Sequence, residues 1–276
     1  MPFNFTKMHC NGNDYIVLET FTQEIYDLFT LSLILPDRRC GIGGDALIEV
    51  APCEDADAEV RIYSPDGSNR DVAGCAARCA VKLLYDQKIC EKKERYRLKM
   101  PWGMVEAEPV SFRRRAVSAV CCYIDLPLQE CDESLAVMVC DGSYRLREVS
   151  HQGEHCVLLA EENFTDVEGI EKVNLAAVAS ALNSLPNYKG RAVELLELLP
   201  EGDAKLRMWI SGQGEARANA NGVAAALMTL PRAGKLLPSK DTRIAVQGGE
   251  MVFCERDGQL QLTGLVQDVY DGICQL

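Results

Sequence analysis

Two polar turns in this chain lead directly into Ala-rich stretches, and their side chains limit the chemistry open to it. The first approach reads Asp71-Val72-Ala73-Gly74-Cys75, the second Arg217-Ala218-Asn219-Ala220-Asn221-Gly222. A helix opening at each turn would present unpaired N–H groups and about half a positive charge. Carboxylates suit that environment. Two such tips converging on one ligand would hold both ends, or both faces, of a small anionic acid. Glycines beside the turns permit close backbone approach. The same residues have plainer uses, since Asn219 also suits a helix N-cap and Gly74 a turn.

The elements that carry these tips are duplicated. Residues 61–84 (RIYSPDGSNRDVAGCAARCAVKLL) and 207–230 (RMWISGQGEARANANGVAAALMTL) share one layout, pairing Arg61 with Arg207, Tyr63 with Trp209, Ala73 with Asn219 and Leu84 with Leu230. Each copy reads as a short strand, a Gly-containing turn and a helix. Pro65-Asp66-Gly67 is the turn signal in the first copy. Helical spacing of Ala77, Val81 and Leu84 predicts a helix over 74–87, and a second is predicted over 222–230. FNFTKMHC and YIVLE read as strands around a polar turn, RYRLKMPWGMVEAEP and AVSAVCCYIDLP are strand-like, and HCVLLAE is another strand. VNLAAVASALNSL reads as a helix with Asn174 near its start. The segment 243–264 reads as a hairpin with Asp257-Gly258 at its tip. Polar, Pro-containing Glu108–Arg115 is expected to be the crossover between halves. Many strands with one long helix per half predict an α+β protein, with halves at 1–112 plus 264–276 and at 113–263.

Composition narrows the partners. The 276 residues carry a formal charge of −12, a field that repels nucleic acid and anionic membrane. The run Arg113-Arg114-Arg115 reads as solvated surface. Thirteen cysteines, irregularly spaced and odd in number, come with only three histidines, His9, His151 and His155. A zinc cage is therefore poorly supplied, and no metal or other cofactor is expected. Without a leader pattern or a membrane-length apolar run, the chain reads as cytoplasmic with mostly buried free thiols.

Nine stretches carry a more specific resemblance: KMHCNGND (7–14), GIGGDAL (41–47), RIYSPDGS (61–68), GCAARC (74–79), HCV (155–157), KVN (172–174), SGQGEA (211–216), QGGE (247–250) and TGLVQDVYDG (263–272). In order and spacing the chain resembles diaminopimelate epimerase and related cofactor-independent amino-acid racemases. The resemblance implies two pseudo-symmetric halves, each wrapping mixed β-structure around a central helix, with the active site between them. It also implies that the segment with Tyr270 and Asp271 returns to the first half, and it allows a homodimer or pairing with another chain.

The resemblance places the family's two catalytic cysteines at Ala73 and Asn219, neither of which can exchange a proton near neutral pH. The family's Glu-Arg pair falls on Ile210 and Ser211, an Asn becomes Ser64, and the Asn of Gly-Asn-Pro-His becomes Gly153, followed by Glu154. Asn13, Asp14, Asp45, Gly74, His155, Asn174 and Glu215 are retained. By this alignment the ligand shell comprises Asn13, Ser64, Ala73, Gly74, Cys75, Gly153, Asn174, Ile210, Ser211, Asn219, Ala220 and Asn221. Glu215, His155 and Cys75 are the candidate proton carriers, with Glu154 the further titratable group nearby. Two readings follow. One is an isomerase that moves a proton on a small amino or carboxylic acid with altered acid–base groups. The other is a catalytically silent homologue that binds a small acid or serves as a partner subunit. Packing roles for Cys10, Cys75, His155 and Glu215 remain open beside both.

Overall fold

Alternating apolar and polar residues make the strands, and short turns fix their registers. A computed structural model describes residues 2–65, 73–125, 135–139, 142–150, 154–164, 169–235, 240–256 and 258–275. The chain forms two units, Met1–Ile124 with Leu262–Leu276, and Asp125–Gln261.

In the first unit β1 (Phe3–Cys10) turns into β2 (Asn13–Glu19) through Asn11-Gly12. Both turn residues have positive φ, 47° and 85°, as a two-residue hairpin requires. There follow α1 (Leu28–Ile34), β3 (Ala46–Ala51), β4 (Ala58–Tyr63), α2 (Ala73–Asp86), β5 (Tyr96–Met100), β6 (Gly103–Arg113) and β7 (Ala116–Asp125). Contacts β2–β3 and β4–β5 are parallel, while β1–β2, β3–β4, β5–β6 and β6–β7 are antiparallel. The crossover expected at Glu108–Arg115 is instead part of the β6–β7 hairpin. Pro109 is accommodated where the register shifts, between Pro109 and Ser111, so its missing N–H breaks no regular ladder.

The second unit repeats this wiring. It contains β8 (Leu135–Val139), β9 (Gly142–Ser150), β10 (Glu154–Leu159), α3 (Ala160–Asn163), α4 (Leu175–Asn183) and β11 (Ala192–Leu198). Then come β12 (Ala204–Ile210), β13 (Gly214–Ala216), α5 (Ala220–Met228), β14 (Thr242–Val246) and β15 (Gly249–Arg256). Contacts β10–β11 and β12–β14 are parallel; β9–β10, β11–β12 and β14–β15 are antiparallel. The registers match residue for residue. Leu47 faces Tyr63 as Val193 faces Trp209, Ala58 faces Leu98 as Ala204 faces Ile244, and Leu98 faces Val105 as Ile244 faces Met251. A duplication read from two helix approaches therefore extends through four strands of each unit.

The final strands are β16 (Gln259–Leu265) and β17 (Gln267–Cys274). The last pairs antiparallel with β1, Thr6 opposite Asp271 and Lys7 opposite Tyr270. Lys82 of α2, almost fully buried, fastens this return. Its ammonium lies 2.6 Å from Asp86 and 3.1 Å from Asp268, and donates to the Val117 carbonyl at 2.8 Å.

Each unit closes its sheet around an Ala-rich helix, because small side chains let strands approach it. Ala76, Ala77, Ala80, Val81 and Leu84 of α2 are fully buried with Tyr15, Ile48, Val60, Ile62 and Leu98. In α5, Ala220–Leu227 are all buried. Two nine-residue helices, α4 and α5, serve the second unit, in the two stretches that the sequence predicted as helical, and neither is long. Among the described residues no helix is long and apolar enough to cross a membrane.

Candidate functional site

In the first unit the approach to α2, Asp71 and Val72, lies outside the described residues, as do Asp66 and Gly67 of the expected turn. Ala73 opens the helix. Gly74 and Cys75 are buried in its first turn, the Gly74 carbonyl facing Cys122 Sγ at 3.8 Å and the Cys75 carbonyl facing Cys10 Sγ at 3.5 Å. Hydrogen bonding with Cys10 and burial push the Cys75 thiol well above its ordinary value. It is a protonated core thiol at neutral pH, which suits packing and not base catalysis. Ser64, directly after β4, is completely buried, and its Oγ makes no hydrogen bond among the described residues.

Asn13 begins β2 beside a charged cluster. Asp14 lies 2.7 Å from Lys7 Nζ and receives both Nη atoms of Arg38, which also reaches Asp45 at 2.8 Å. Burial pushes Asp14 upward, but hydrogen bonds from Arg38 and Lys7 outweigh it and hold the carboxyl well below the usual range. In Asp45 burial prevails and holds the carboxyl above its ordinary value. A depressed Asp14 stabilises the fold fully above its unfolded value of about 4, and that contribution disappears as pH falls toward its folded value. Asp14→Asn is therefore expected to lose stability at neutral pH and to show a shallower further loss below about pH 4. Urea midpoints measured from pH 7 to pH 2.5 check this; parallel wild-type and variant profiles would contradict it.

In the second unit Asn219 caps α5. Its Oδ1 accepts from the N–H of Asn221 at 2.8 Å and of Gly222 at 3.2 Å. The helix starts at Ala220, two residues before the sequence expectation, because this cap satisfies its first donors. Asn219→Ala is expected to cost about 1 kcal/mol, and Asn219→Asp or Asn219→Ser much less; urea denaturation reads the difference. Asn174 caps α4 in the same way, accepting from Ala177 N–H at 3.1 Å. Ile210 ends β12 and Ser211 starts the turn to β13. Gly153 and Asp257 lie outside the described residues.

Glu215 is tied to a structural partner. Arg207 donates to it through Nε at 2.6 Å and Nη2 at 2.9 Å, while Arg207 Nη1 donates to the carbonyls of Ile170 at 2.7 Å and Val173 at 2.8 Å. This fork pins β12, β13 and the segment before α4 together.

His155 stands differently. It is the second residue of β10, 4% exposed, with Nδ1 2.7 Å from Oε1 of Glu194 on β11. The register sets this up, since His155 faces Ala192 across a parallel pair. Glu194 is itself buried, and its Oε2 has no hydrogen bond among the described residues. A Cβ on Gly222 would stand 3.0 Å from Glu194 Oε1, so the pair lies against the first turn of α5. With Nδ1–H donating to Oε1, a neutral imidazole carries its lone pair on Nε2. Glu194 was not picked out in the sequence. Its only signal there is an acidic residue inside the apolar run AVELLEL.

Comparisons with known proteins agree with this architecture. The diaminopimelate epimerase family model matches residues 5–115. A diaminopimelate epimerase of Parabacteroides distasonis is 28% identical over 276 residues, spanning 99% of this chain and 98% of its own. Among solved structures, a probable proline racemase from Agrobacterium radiobacter superposes with a TM-score of 0.72 at 17% identity, covering 99% of this chain and 92% of that one. A hydroxyproline epimerase from Agrobacterium vitis, solved with trans-4-hydroxy-L-proline, gives 0.71 at 15% identity, with 99% and 92% covered. The duplicated ladders thus come with a sequence likeness to diaminopimelate epimerases that runs from end to end and with the fold of solved proline-type racemases.

Proposed function

We propose that this chain is a racemase- or epimerase-type isomerase that moves a proton on a small amino or carboxylic acid without a cofactor, and that His155 carries the proton in the second unit. The His155–Glu194 pair is the observation that supports this reading. A buried carboxylate 2.7 Å from Nδ1 fixes the ring's tautomer and stabilises the imidazolium once Nε2 takes a proton. Glu194 lies against Gly222 in the first turn of α5, three residues after Asn219, to which the resemblance assigns a family cysteine. Glu215, gripped by Arg207, and Cys75, held as a core thiol, are assigned structural roles. Kinship with diaminopimelate epimerases, and likeness in fold to proline-type racemases, favour a substrate with an acidic Cα–H beside a carboxylate.

A second reading, a silent homologue that binds a small acid or a partner chain, is favoured by one specific feature. Asn219 Oδ1 already occupies the N–H groups of Asn221 and Gly222, which would otherwise face a ligand carboxylate. Deuterium wash-in at Cα from D2O separates the two, using a panel of amino, imino and carboxylic acids followed by mass spectrometry. The enzyme reading expects exchange with at least one acid, falling about 100-fold or more in His155→Asn. Measurable binding with no exchange across the panel would establish the second reading instead.

A further inference from the structure

A nest of buried thiols around a buried cation lies inside the first unit, and the proton chemistry above makes no use of it. Cys10 on β1 and Cys79 on α2 are both fully buried, with their sulfurs 3.6 Å apart. Cys75 and Cys122 pack beside them. Arg78 is fully buried in the same place. Its Nη1 donates to Asn11 Oδ1 at 3.4 Å, while Nε and Nη2 have no partner among the described residues. A guanidinium keeps its charge at any ordinary pH, and its charge acts on Cys10, favouring the thiolate. The same cation opposes a metal ion among these sulfurs, and the described residues offer no metal cluster. Thiol oxidation is the chemistry left.

We propose that Cys10 and Cys79 form a peroxide-oxidisable dithiol whose disulfide locks β1 to α2. The Cys10 thiolate attacks one oxygen of hydrogen peroxide, the O–O bond breaks, and water leaves a sulfenic acid on Cys10. Cys79 then attacks that sulfur, the S–S bond forms, and the S–O bond breaks with release of a second water. Two thiols lose two electrons and two protons, and one peroxide becomes two waters. The sulfurs need only close from 3.6 Å to about 2 Å. Because burial holds the Cys10 thiol well above its ordinary value, reaction waits on local opening of the unit and is slow in the closed form.

The test treats the whole chain with hydrogen peroxide, blocks remaining thiols with iodoacetamide in denaturant, and maps peptides without reductant. A Cys10–Cys79 linked peptide is expected, abolished by dithiothreitol and accompanied by a rise in Tm of roughly 5 °C or more. The linked peptide should survive in Cys40→Ser, which removes an exposed thiol, and vanish in Cys79→Ala. Peptide mapping of the wild-type chain decides the matter even if Cys79→Ala folds poorly. Full alkylation of Cys10 and Cys79 after a dose that oxidises Cys40 would overturn the proposal. So would a bridge from Cys10 to Cys75 instead.

Discussion

Replacing His155 with leucine is expected to destabilise the protein by about 3–5 kcal/mol, one of the largest single-residue effects in the second unit. The loss comes from what stays behind. Glu194 is 1% exposed and its Oε2 already lacks a hydrogen bond among the described residues. Removing the ring deprives Oε1 of its 2.7 Å contact and leaves a carboxylate in an apolar strand. Replacing both partners, as His155→Leu with Glu194→Leu, removes the stranded charge and is expected to bring the cost back to within about 1 kcal/mol of wild type. Glu194→Gln separates structure from chemistry. Its amide can still meet Nδ1, so stability should fall by only about 1 kcal/mol. It cannot stabilise an imidazolium, so the exchange attributed to His155 should fall by about 100-fold. Urea titration of the four proteins and solvent-exchange rates measure both quantities. A His155→Leu protein within 1 kcal/mol of wild type would mean that the pair does not hold the unit together.

What could be read from the chain beforehand was what short-range physics determines. The approach 217–222, the Ala-rich helices and the Arg61/Arg207 and Tyr63/Trp209 equivalences are local patterns, and the ladders keep the two equivalences. Caps were legible for the same reason: Asn174 and Asn219 each act within three residues of themselves. Glu194 escaped because its meaning depends on His155, 39 residues away. Alone in AVELLEL, an acidic residue reads as solvent-facing. The Glu108–Arg115 hairpin escaped because Pro109 and three arginines signal a loop, and only the register shift on β6 lets a proline sit in a paired strand. Glu215 and Cys75 were chosen as titratable groups by position. Their partners, Arg207 and the Cys10 cluster, decide their roles, and neither partnership follows from spacing.

Gly264→Ala should cost at least about 3 kcal/mol in the wild-type chain and about 1 kcal/mol or less when Arg78 is methionine. A Cβ at Gly264 would stand 2.3 Å from Arg78 Nη1, 2.4 Å from its Cζ and 2.8 Å from Asn11 Oδ1. Flexible side chains usually retreat from such an intrusion, but this guanidinium is fully enclosed, with Cys10, Cys75 and Cys122 around it. Glycine is thus demanded by close approach and not by a turn. Arg78→Met alone has a less obvious sign. Among the described residues the guanidinium is buried without a carboxylate partner, and its Nε and Nη2 make no hydrogen bond. An apolar side chain of similar length sheds that desolvation cost, and the variant is expected to be neutral to about 3 kcal/mol more stable. A double-mutant cycle by urea denaturation tests both halves of the argument, with a coupling of at least 1 kcal/mol expected between positions 78 and 264. Equal costs for Gly264→Ala in the two backgrounds would show that Arg78 moves aside, and that the glycine answers to the backbone alone.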